Sequence, residues 1–254
     1  MILRILMIIF LLLPGGFLTA QENQKKEYGF DFTMDLVSRY LWRGYDLNHK
    51  YGAMQSGLTY TPAYLPGLSA SVWSSLGLAE KQSLGDSESS FDEVDLSLSY
   101  DRDIIRKRWL VNVTLQRYHF VSDWASYNKT NKRDYEISVT NTFAIHQFFS
   151  PYIQYAHGFD VGMKGDYYEI GAGMVYAFNK DFNIGPTLAF AISDQYNQNN
   201  EITHMQVLIP ANYTIKPIAL RPAINFVYRF KDLGNRYNRS GFLVALGVGV
   251  AYRF

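Results

Sequence analysis

From position 29 to the carboxy terminus the chain alternates, residue by residue, between large apolar side chains and polar or small ones. "FDFTMDLVSRYLWR" sets Phe30, Phe32, Met34, Leu36, Tyr40 and Trp42 on one face and Asp31, Thr33, Asp35, Arg39 and Arg43 on the other. "WLVNVTLQ" separates Trp109, Val111, Val113 and Leu115 from Asn112, Thr114 and Gln116. The closing "GFLVALGVGVAYRF" puts Phe242, Val244, Leu246, Val248, Val250, Tyr252 and Phe254 on one parity; Leu243, Ala245, Gly247, Gly249, Ala251 and Arg253 take the other. A period of two is the signature of a β-strand. A soluble sandwich would use strands of about five or six residues with polar outer faces. These run to about twice that length, carry aromatics near their ends and turn one strongly apolar face outward, as transmembrane barrel strands do. Closure into a barrel also leaves no unpaired edge in hydrocarbon.

The pattern predicts an all-β, transmembrane, antiparallel up-and-down barrel of twelve strands, at 29–43, 52–62, 67–79, 91–101, 108–120, 133–145, 150–161, 166–178, 181–193, 202–214, 218–230 and 241–254. Connections after even strands are short and turn-like ("AYLPG", "DRDIIRK", "HQFF", "NKD", "IKPIA"). Those after odd strands are mostly longer and polar, such as "KQSLGDSESS", "VSDWASYNKTNK" and "KDLGNRYNRS". Short periplasmic turns alternating with longer outer loops are the habit of outer-membrane barrels.

Composition sharpens this picture. The first twenty of the 254 residues, "MILRILMIIFLLLPGGFLTA", read as a secretory signal peptide cleaved after Ala20, since the apolar run is too short to span a bilayer as a helix. Residues 21–27 form a short polar segment, and 28–254 the barrel. Loss of Arg4 with the signal peptide leaves 23 basic and 23 acidic residues, a formal charge of zero that gives nucleic acid no footing. There is no cysteine, hence neither a disulfide framework nor a thiolate metal site, and no cofactor or metal is expected. The expected location is a bacterial outer membrane.

Parity assigns charges to the lumen. Arg39, Arg43, Arg221, Arg229 and Arg253 fall on one arc across the seam where the last strand meets the first. Glu93, Asp95, Asp134, Glu136, Asp160 and Glu169 fall on the opposite wall. Opposed basic and acidic walls would orient small polar solutes, which is the physics of a selective aqueous pore. The alternative is a structural or surface-binding barrel whose charges pair and close the lumen, leaving the loops at 80–90 and 121–132 to meet a partner; twelve strands lie between filled and open barrels. Small inward residues (Gly171, Gly173, Gly185, Ala189, Gly247, Gly249) either leave space for a solute or relieve crowding.

Some twelve-stranded barrels are phospholipases with a Ser/His pair on the outer wall. Here Arg117, His119 and His157 face outward near the outer rim, but no serine of suitable parity accompanies His119, so no enzyme is expected. Contact with headgroup or lipopolysaccharide phosphates, or plain snorkelling toward the interface, accounts for them better. His204 points inward.

The segment "FTMDLVSRYLWRGYDLNHKYGAMQSGLTYTP", followed by "LSASVWSSLG", resembles the opening of the TorF family of bacterial outer-membrane porins. The shared features are Ser38, Tyr40, Arg43 and Gly44 on the first strand, then Gly57 and Tyr60, then Trp73 and Ser75. The resemblance covers about the first fifth of the mature chain and implies a porin-like role. The carboxy-terminal Tyr252 and Phe254 are similar to the signal by which barrels are delivered to the barrel-assembly machinery.

Overall fold

In the computed structural model the described residues are 29–48, 51–78, 92–105, 108–121, 133–146, 148–159, 164–194, 202–230 and 241–254. The signal peptide, the polar segment 21–27, Asp160 and nearly all of both candidate partner loops lie outside them. The described residues contain strands and no helix.

The strands are β1 (Gly29–Val37), β2 (Leu41–Trp42), β3 (Tyr45–Asp46), β4 (Ala53–Thr61), β5 (Leu68–Gly77), β6 (Glu93–Asp103), β7 (Trp109–His119), β8 (Arg133–Phe143) and β9 (Phe149–Gly158). They continue as β10 (Gly165–Met174), β11 (Tyr176–Ala177), β12 (Phe182–Ile184), β13 (Thr187–Asp194), β14 (Ile202–Ile215), β15 (Ile218–Leu220), β16 (Ala223–Arg229) and β17 (Gly241–Arg253). Twelve passes form the wall, because β11 extends β10 and two other passes are interrupted, β12 with β13 and β15 with β16. Each pass pairs antiparallel with its neighbours. The last pairs with the first, Asp31 opposite Arg253 through Val37 opposite Gly247, and the barrel closes.

The interruptions have a local cause. Pro186 and Pro222 sit at the breaks and bring no backbone N–H to the ladder. Neighbouring groups keep the sheet joined: Gly185 N–H donates to the Pro210 carbonyl at 2.9 Å and Arg221 N–H to the Gly249 carbonyl at 2.8 Å.

The outer face is apolar, with Phe30, Met34, Leu36, Leu58, Leu98, Ile170, Leu246 and Val248 all exposed. Ring pairs mark its turn side: Phe30–Tyr60, Trp109–Phe143, Tyr176–Phe178 and Tyr252–Phe254. Tyr228–Phe230 and Phe226–Phe242 mark the loop side. Two such girdles are what the interfaces of a bilayer select.

The hydrophobic cluster lies inside the barrel rather than between layers. Tyr40, Tyr45, Leu47, Ala53, Tyr118, Phe120, Ala156, Tyr167 and Ala191 make it up, all in the loop-side half. Its existence depends on one correction to the sequence reading: the first wall strand ends at Val37, six residues short of the predicted 43.

Candidate functional site

Past Val37 the chain turns into the lumen. The last ties to the wall are Ser38 N–H to the Leu246 carbonyl (2.7 Å) and Leu246 N–H to Ser38 Oγ (2.9 Å). β2 and β3 then pair as a miniature hairpin, Leu41 opposite Asp46 and Trp42 opposite Tyr45. Arg43 and Gly44 form its two-residue turn with φ of 48° and 83°. Positive φ at both central residues belongs to the primed turns that suit tight hairpins, and glycine at the second makes it accessible. Tyr40, Tyr45, Asp46, Leu47 and Asn48 are all buried, and the chain rejoins the wall at Ala53.

The hairpin reaches across the lumen. On one side the Tyr40 hydroxyl donates to Glu93 Oε2 at 2.9 Å while its ring lies 5.5 Å from that of Trp73. Trp42 meets Tyr118 edge-on at 5.9 Å. At the tip, Arg43 donates twice to the Glu136 carboxylate, at 2.6 and 2.9 Å, and its guanidinium stands 4.3 Å from the centre of the Tyr167 ring and 4.9 Å from that of Trp42. Gly44 sits against His204, so close that a Cβ there would come within 2.9 Å of Nδ1. The hairpin therefore touches β5, β6, β7, β8, β10 and β14. The bidentate fork on Glu136, with only 12% of Arg43 and 2% of Glu136 side chain exposed, is the strongest polar tie of the set.

This arrangement changes what the sequence suggested. Arg39 and Arg43 are not wall residues facing an acidic wall across water. Arg39 bonds Asp46 of the same hairpin at 2.9 Å, and Arg43 is carried to the acidic side. Asp46 was missed because parity counting treated the segment as wall; the aromatic pair Trp42 and Tyr45 flanking Arg43-Gly44 was the available signal. Glu93, Asp95, Asp134 and Glu136 are buried, with Asp95 accepting from Gln116 Nε2 at 2.9 Å. Arg229 is buried opposite His204 on the neighbouring pass.

Turn-side charges are paired differently. Arg253 bonds Asp31 across the seam through two contacts of 2.5 and 2.8 Å, and Arg221 lies 4.0 Å from Asp35. Higher in the lumen, beside the loop-side cluster, Glu169 accepts from the hydroxyls of Tyr152 and Tyr167 at 2.7 and 2.6 Å. At two inward glycines the space is already taken: a Cβ on Gly171 would strike the Tyr152 ring at 2.5 Å, and one on Gly249 would meet the Asp35 carboxylate, whereas Gly173 and Gly185 have their nearest neighbours at 3.7 and 3.6 Å, an ordinary contact distance.

On the outer wall His157 is engaged, its Nδ1 2.7 Å from Asp166, which also accepts from the Tyr155 hydroxyl. His119 Nδ1 and Arg117 Nε are buried without a hydrogen-bond partner.

No protein-family model matches the sequence, and no curated protein matches it. Solved structures do. The KdgM porin superposes with a TM-score of 0.58 at 13% identity, over 88% of this chain and 99% of its own. The COG4313 outer membrane channel from Pseudomonas putida F1 gives 0.56 at 9% identity, covering 92% and 100%. LpxR from Salmonella typhimurium gives 0.56 at 7%, covering 88% and 100%. At such identities the likeness is one of fold: a twelve-stranded outer-membrane barrel, with the TorF resemblance resting on its own short motif.

Proposed function

We propose that the protein is a porin-like channel of a bacterial outer membrane, passing small polar solutes through a lumen that the hairpin at 38–48 restricts. The observation that carries this reading is the polar character of the closure. A barrel meant to stay shut could be filled with apolar side chains at equal or lower cost, since a buried ion pair recovers its desolvation penalty poorly. Here the crossing adds to its apolar cluster two polar ties on the far wall, Arg43–Glu136 and Tyr40–Glu93, contacts that water or a polar solute can replace. The KdgM porin, which shares the fold, has been solved with oligogalacturonate, which supports a polar cargo for barrels of this shape.

Arg229 on one side, with Glu93, Asp95, Asp134, Glu136 and Glu169 on the other and Arg43 of the hairpin reaching across to them, would set selectivity in the loop-side half. Arg221 and Arg253 would do so nearer the turns. Reversing the charge of Arg43 and Arg229 should shift the ion selectivity of purified protein in planar bilayers. Correctly inserted protein with no conductance steps would favour the closed, surface-binding barrel that the buried hairpin also supports. The signal peptide would export the chain, and Tyr252 with the exposed Phe254 at the turn-side edge would present it to the assembly machinery. Hydrolysis of lipid finds no support at His157: Asp166 holds Nδ1 as a triad carboxylate would, but among the described residues no serine hydroxyl is bonded to the ring. Folded protein should release no fatty acid from phospholipid. At the rim, Arg117 and His119 would meet lipid or lipopolysaccharide phosphates, with His157 braced beside them.

A further inference from the structure

The lipid-facing wall is not smooth. A trough of about 520 Å³ crosses it obliquely from β1 to β8. Phe30 and Tyr60 close its turn-side end, Ala70 leaves the middle shallow between Tyr60 and Leu98, and Leu115 continues it toward Arg117. The ladder gives its course: Tyr60 stands opposite Ala70, Ala70 opposite Leu98, and Leu98 opposite Leu115. The direction along the ladder climbs toward the loop side, because barrel strands are tilted.

The upper end is basic. Arg117 lines the trough beside Tyr135, its partner across β7 and β8. Two residues on, His119 stands opposite Arg133 on the same outward parity. Three nitrogen-bearing side chains thus share one patch on adjacent strands, at the level where the loop-side interface begins. Arg117 Nε and His119 Nδ1 are buried there and make no hydrogen bond. Those two atoms are covered by the wall itself, so an acceptor from outside would be met by the remaining nitrogens of Arg117, His119 and Arg133. On the outside of this wall the neighbours are lipids.

We propose that this trough and its basic head form a specific site for a phosphate-bearing lipid of the loop-side leaflet. One acyl chain would lie over Ala70, and the phosphate would be held by Arg117 and Arg133 with His119 beside them. Charge complementarity selects the headgroup, because the only cation in the trough lining stands at the end where a headgroup must sit. The apolar, concave floor selects a chain rather than a soluble phosphate. The site extends the rim reading given above and is independent of whether the lumen conducts.

The test is native mass spectrometry of the full folded barrel in detergent, titrated with dioleoyl phosphatidic acid and, separately, dioleoyl phosphatidylcholine. The wild type should hold one phosphatidic acid in preference to phosphatidylcholine. Arg117→Gln with Arg133→Gln should weaken that binding about tenfold or more, since charge-assisted contacts are lost. Ala70→Phe, an exposed substitution that fills the trough and leaves the wall hydrogen bonds intact, should weaken it comparably. Unchanged binding in the arginine variant would overturn the site and the rim reading together. Unchanged binding in Ala70→Phe alone would overturn the trough and leave only headgroup adhesion. Displacement of the lipid by millimolar inorganic phosphate would likewise overturn the seating of a chain.

Discussion

Replacing Arg43 by glutamine removes the two N–H bonds to Glu136 and the cation from the Tyr167 ring in one step. What remains is a carboxylate whose side chain is 2% exposed, facing a neutral amide. Removing one partner of a buried ion pair costs about 3–5 kcal/mol, because the other charge is left uncompensated. The lower end applies, since Arg43 keeps some contact with lumen water. About 3 kcal/mol against the seated hairpin corresponds to a shift of about 150-fold in the balance between seated and displaced states. Glu136 regains its hydration only when the hairpin leaves, so the direction is toward opening. Single-channel recording of reconstituted protein should show brief, infrequent openings in the wild type and long ones in Arg43→Gln. Glu136→Gln should act the same way. The double variant should open less than the sum of the two predicts, because no charge is then stranded. Identical open times in wild type and both single variants would refute the idea that this pair holds the lumen closed.

Gly44→Ala should also favour the displaced hairpin, since φ is +83° there and the new methyl meets His204; the left-handed backbone alone costs about 1–2 kcal/mol, and a longer open time would register it. Gly171→Ala should push the Tyr152 ring off Glu169, lowering resistance to heat unfolding by at least the ~1 kcal/mol of that hydrogen bond, seen as a lower transition on heat-modifiable gels. Arg253→Ala at the seam should cost no more than ~1 kcal/mol in denaturant unfolding, because that pair is half-exposed and screened; a much larger loss would make it a structural clasp.

The barrel was legible because lipid enforces its alternation more strictly than a protein core does. In the pass Trp109–His119 the outward positions Trp109, Val111, Val113 and Leu115 are all apolar, and Asn112, Thr114 and Gln116 take the other parity, before Arg117 and His119 mark the rim. The hairpin was not legible by the same rule. Tyr40 and Trp42 continue the parity of Phe30 to Leu36, so alternation alone extends the strand to Arg43. What breaks it is local backbone chemistry, a glycine that makes the left-handed turn accessible, with Arg43 before it held at an uncommon positive φ and an aromatic on either side. Within that hairpin Tyr40 bonds Glu93, Arg43 pairs with Glu136, and Arg43 and Gly44 make the turn. Which charge meets which also escaped parity, because Arg43 and Glu136 lie 93 positions apart and meet only once the chain has folded inward. Arg133 was overlooked at the rim because its significance depends on its register with His119.

The central claim is that residues 38–48 cross the lumen and restrict passage, and a reversible covalent lock tests it most directly. The chain has no cysteine, and a Cβ on Gly44 would lie 3.1 Å from that of His204, about 0.4 Å below the short end of disulfide Cβ–Cβ distances, a gap that a small outward shift of the hairpin closes. Gly44→Cys with His204→Cys should be electrically silent in planar bilayers when oxidised and should conduct when reduced in the same membrane. Equal conductance in both states, with the cross-link verified by mass, would contradict the account.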